Sequence, residues 1–72
     1  MKYELVAFGA PYGIDGEIID DCNTIREAKK AAVANLCASQ YAKLYPTGDR
    51  ENPVAMWICN AQNDIIRVNV PE

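Results

Sequence analysis

Between Thr24 and about Ala38, apolar residues recur at steps of three and four, at Ile25, Ala28, Ala32 and Leu36, while Arg26, Glu27 and Lys30 fall between them. The spacing predicts a helix with one narrow, alanine-rich stripe turned inward and its charged residues turned to water. Thr24 and Glu27 stand in the S/T-x-x-E spacing of a capping box, which marks the helix start. The hydroxyl accepts from the third helical N–H and the carboxylate reaches back to the cap N–H. A single helix with one apolar stripe must cover something, and small side chains let it lie close to a sheet.

Elsewhere the period is two. From Lys2 to Phe8, Tyr3, Leu5 and Ala7 fall on one side and Val6 and Phe8 on the other, with Glu4 beside them, so both faces are fairly apolar and an interior strand is predicted. Gly9 to Gly16 holds three glycines and a proline, which reads as a loop. Glu17 to Asp20 then forms a short edge strand, flanked by acids that discourage further pairing, and closes a hairpin with the first strand. Tyr41 to Tyr45 alternates as a strand does, although nothing before Pro46 forbids a helix. Pro46 to Pro53 is a polar loop. Val54 to Cys59 reads as a strand with Val54, Met56 and Ile58 on one face and Ala55, Trp57 and Cys59 on the other. Ala61 to Asp64 supplies a turn, and Ile65 to Val70 closes the last hairpin, with Ile66, Val68 and Val70 facing one way and Arg67 and Asn69 the other. The expected fold is α+β, a single domain over residues 1–72. A mainly antiparallel sheet of four or five strands is packed on one face by a single α-helix, in the order β-β-α-β-β-β.

Composition agrees with a globular domain: 50% of the 72 residues are hydrophobic and 24% charged. A chain this short buries only about 60% of its unfolded surface, so modest stability is expected and a homodimer would help. No apolar run approaches the roughly 20 residues of a membrane span. The opening Met1-Lys2-Tyr3-Glu4 lacks the apolar core of a secretory signal. Three cysteines, Cys22, Cys37 and Cys59, form no C-x-x-C pair, which favours a reducing, cytoplasmic setting over a disulfide framework. A net charge of −3 argues against direct nucleic-acid binding, which needs a basic face to displace counterions.

The chain has no histidine, hence neither the commonest general base nor the commonest metal ligand. Ser39 is its only serine and has no evident activating partner. Gly9, Gly13 and Gly16 fit neither G-x-G-x-x-G nor a phosphate loop. These omissions predict a non-enzymatic protein without a cofactor. Asp15, Glu17, Asp20 and Asp21 are the densest charge, and oxygen ligands on a glycine-rich loop suit calcium or magnesium. The glutamate that would close an EF-hand loop is missing, so a solvated edge or a partner-facing patch is the commoner reading. Cys22 precedes the helix start, a place where a helix N-terminus can lower a thiol pKa, while Cys37 and Cys59 read as packed small residues; a structural rather than a redox role is the expected one for the cysteines. Tyr12, Tyr41, Tyr45 and Trp57 are expected partly on the sheet face away from the helix or in its bordering loops, where aromatics favour interfaces. For Trp57 the alternative is a core position under the helix.

The order of a leading hairpin, a capped TIREAKKAA helix and strands including AKLY and AMWICN resembles small proteins encoded by phages and mobile elements, among them compact anti-CRISPR inhibitors. The resemblance is one of layout across Lys2 to Val70. It implies a protein that blocks a host complex by binding it, without catalysis. The leading expectation is therefore a small binding protein acting through a protein–protein contact at Tyr12, Asp15, Glu17, Asp20, Asp21, Tyr41, Tyr45 and Trp57. The alternatives are a small-molecule or metal-binding domain using the 9–21 loop and a structural homo-oligomer.

Overall fold

The computed structural model describes residues 2–68. Its elements are β1 (Tyr3–Phe8), β2 (Glu17–Cys22), α1 (Ile25–Asn35), β3 (Tyr41–Pro46), β4 (Ala55–Cys59) and β5 (Ile65–Val68). All five strands join one sheet in the order β2-β1-β3-β4-β5, and every neighbouring pair is antiparallel. The expected α+β order is present. Tyr41 to Tyr45 is strand, because β1 and β4 hold it from both sides. Asn69 and Val70 of the predicted last strand lie outside the described residues.

Alternation sorts the sheet into two faces. Leu5, Ala7, Cys22, Ala42, Leu44, Ala55, Trp57 and Cys59 meet Ala28, Ala31, Ala32 and Leu36 of the helix in one buried cluster. Alanine at the helix contacts lets α1 approach the strands, β2 most extensively. Thr24 caps the helix: its Oγ1 accepts from the Glu27 N–H at 3.1 Å. The Glu27 carboxylate accepts from the N–H of Asn23 at 3.2 Å, one residue before the expected cap N–H.

The helix ends at Asn35, three residues short of Ala38. Asn35 folds its side-chain amide back onto the Ala31 carbonyl at 2.7 Å, one turn before, and Leu36 takes an extended conformation as the C-cap. Gln40 then fixes the departing chain. Its Oε1 accepts from Cys37 N–H at 2.6 Å, its Nε2 donates to the Ala10 carbonyl at 2.7 Å, and its own backbone pairs with Cys37 and Cys59. This buried amide ties the β1–β2 loop, the α1–β3 connection and β4 together.

β2 carries a bulge: Leu5 pairs with Asp20 and Val6 with Ile18, leaving Ile19 between. Ile19 packs toward the core and Ile18 stands on the opposite face, 47% exposed. No helix among the described residues is long and apolar enough to cross a membrane.

Candidate functional site

Among the described residues no other helix or strand covers the face of the sheet away from α1. Register places Ile18, Val6, Lys43, Met56 and Val68 in one row across it and Phe8, Tyr41, Ile58 and Ile66 in the next. Cross-strand partners sit close enough for direct side-chain contact. Phe8 and Tyr41 stack with centroids 4.9 Å apart at 12°. The Lys43 ammonium stands 5.7 Å from the Phe8 ring and 6.0 Å from the Tyr41 ring. Val6 is buried on this face because Gly16 crosses over it, close to Phe8 as well. The result is an apolar strip with a cation near its centre and isoleucines, Ile18 and Ile66, exposed toward either edge.

Of the four aromatics expected at a contact surface, only Tyr41 contributes freely to this strip. Tyr45 shares the face but is buried beneath the Arg50 guanidinium, 5.8 Å above its ring, while Arg50 reaches Glu4 at 3.9 Å. Tyr12 leans toward the helix end, with its hydroxyl 3.5 Å from the Asn35 carbonyl, and packs on the core. Trp57 belongs to the core, 1% exposed on the helix side, so the reading that puts it on the free face is corrected. The cause is register: Trp57 pairs with Ala42 and Arg67, whose side chains also face α1. Phe8, Lys43, Ile58 and Ile66 were not expected at the site. The period-two pattern already grouped Ile58 with Met56, but which strands adjoin is a property of the folded order.

The acidic group follows the β2 edge. Asp15 stands in the loop, Glu17 opposite Ala7, Asp20 opposite Leu5 and Asp21 opposite Glu4, all exposed. Asp20 accepts from the Asp21 N–H at 3.0 Å and from the Cys22 thiol at 3.7 Å. Strand geometry spreads these carboxylates along an edge, and among the described residues no three potential ligands converge on a metal-sized site.

Cys22 is buried, as a structural thiol is, and not activated by the helix start: burial foremost, then the Asp20 charge and hydrogen bond, pushes its thiol up to about 11. Cys59 is buried as expected, whereas Cys37 is exposed on the connection after α1.

At the opposite edge, α1 and the β4–β5 hairpin leave a cleft of about 350 Å³ lined by Ile25, Arg26, Lys29, Trp57, Ile65 and Arg67. The Arg67 guanidinium lies 5.9 Å from the Trp57 ring. The Trp57 indole N–H is buried without a hydrogen-bond acceptor among the described residues. Among the described residues Arg26, Lys29 and Arg67 form no ion pair there either. Comparison of the chain with family models, curated proteins and solved structures returned no match in any of the three.

Proposed function

We propose that this chain is a non-enzymatic binding protein whose uncovered sheet face engages a protein partner. The observation that carries the reading is the stacked Phe8–Tyr41 pair beneath Lys43, set among Ile18, Ile58 and Ile66. An apolar strip that contains aromatics and a single cation, rimmed on one side by acidic β2, has the composition of an interface core with a polar rim. The blocking of a host complex, which the layout resemblance implies, is the finer form of the same proposal. Three free thiols support a cytoplasmic setting, and a net charge of −3 supports a protein rather than a nucleic acid as the partner.

The test is affinity capture from lysate of the source cell or its host, with nuclease present, comparing the wild type with Tyr41→Ala and Ile66→Asp. A stoichiometric partner held by the wild type and weakened about 30-fold or more by both variants, at unchanged secondary structure, is the expected result. Folded variants that retain the partner would move the site off this face. Reversing Asp15, Glu17, Asp20 and Asp21 separately reports the contribution of the rim.

A further inference from the structure

The two edges of the sheet carry opposite chemistry. At the β2 edge the Gly16 N–H donates to the Gly13 carbonyl at 2.9 Å, closing a tight turn with Ile14 and Asp15 at its corners. Ile14 is 97% exposed, the most exposed large apolar side chain among the described residues, and Asp15 and Glu17 lie beside it. At the β5 edge, the cleft between α1 and the β4–β5 hairpin has an apolar floor of Ile25, Trp57 and Ile65 and a rim of Arg26, Lys29 and Arg67. None of the three cations is paired among the described residues. The N-terminal turn of α1 adds its own positive end to that rim.

We propose that this protein associates head to tail, the Ile14 turn of one copy seating in the cleft of the next. Ile14 meets Trp57, Ile25 and Ile65, and Asp15 and Glu17 meet Arg26, Lys29 and Arg67. The chain itself carries the complementary ligand, an isoleucine beside carboxylates on a projecting turn, and charge complementarity selects a second copy as the occupant. The turn cannot fill its own cleft: β2 and β5 lie at opposite edges with three strands between, a separation of roughly 19 Å. Each copy therefore has one turn and one cleft, and the contact is heterologous, so it repeats into a ring or an open chain. It uses neither Tyr41 nor Ile66 and shares only Asp15 and Glu17 with the rim of the sheet-face site, so the Ile14 and Arg67 variants test it separately from that reading.

Sedimentation equilibrium of the whole chain, from about 20 µM to about 1 mM, spans the weak regime expected of so small a contact. The wild type is expected to show reversible, concentration-dependent growth in mass, at least tenfold weaker in 0.5 M than in 0.05 M NaCl, with Trp57 emission changing in parallel. Ile14→Ser, which leaves the cleft intact, and Arg67→Glu, which leaves the turn intact, are each expected to stay monomeric. Their equimolar mixture is expected to form a dimer and nothing larger, since one intact turn meets one intact cleft. If Arg67→Glu does not fold, Arg26→Glu takes its place. A wild type that is monomeric across the range overturns the proposal, as does association that survives Ile14→Ser or a mixture of folded variants that remains monomeric.

Discussion

Gly16 has a φ of 79°, and a Cβ there would stand 2.6 Å from Val6 Cγ1, 2.8 Å from Phe8 Cε1 and 3.0 Å from the Ala7 carbonyl oxygen. Gly16→Ala therefore combines left-handed strain with a clash, and a loss of about 2–3 kcal/mol is expected as a lower urea midpoint at unchanged slope. Gly13→Ala, with open space around the position, is the matched control and should melt close to the wild type. Cys22 sets a pH dependence. Its folded thiol keeps its proton to about 11, while the unfolded thiol ionises near 8.5, so its contribution to stability is present below that lower value. It is lost as pH rises between the two, and urea titrations should show an alkaline decline that Cys22→Ala lacks. Iodoacetamide should meanwhile label exposed Cys37 first. Single-residue environments of this kind were the least legible part of the chain. Gly16 reads only as a loop glycine, and Gln40 as a polar residue after a helix, because what each one touches comes from distant sequence.

Elements were far more legible, since each is set by a pattern contained within it. The capping pair Thr24 and Glu27 marks the helix start, and Thr24→Ala should cost about 1 kcal/mol while Thr24→Ser costs little, measured by chemical melts. Alternation over five or six residues identified β1, β3 and β4 and sorted their faces correctly. Boundaries were harder: the helix stops at Asn35, where Leu36 turns extended and buried Gln40 holds the Cys37 N–H, and no local periodicity encodes either. The same limit applies to Trp57. Its own strand offers two faces, and only pairing with Ala42 and Arg67 decides which one lies under α1. Trp57→Ala is consequently a folding variant, with an expected loss of about 3–5 kcal/mol, enough to unfold much of a domain of this size. Binding measurements on it would report loss of the core.

On the scale of the whole molecule, the strand order assembles the candidate surface. Phe8, Tyr41, Ile58 and Ile66 come from four strands, and their alignment in one row follows from the sequence β1-β3-β4-β5 across the sheet. The acidic edge strand was legible from Glu17 to Asp21, but neither that order nor the gathering of Arg26, Lys29 and Arg67 near the opposite edge can be read from positions along the chain. The order has one more consequence. β1 lies between β2 and β3, so the first half of the chain, β1-β2-α1, joins the second half, β3-β4-β5, through the six-residue ladder from Tyr3–Pro46 to Phe8–Tyr41 and through the packing of α1. The covalent link between the halves is the exposed stretch Cys37 to Ser39. A cut at Ala38 would leave each half with a long unsatisfied strand edge that matches the other, so the two fragments should recombine when mixed, and tethering each to a separate protein would convert the domain into a two-part proximity sensor.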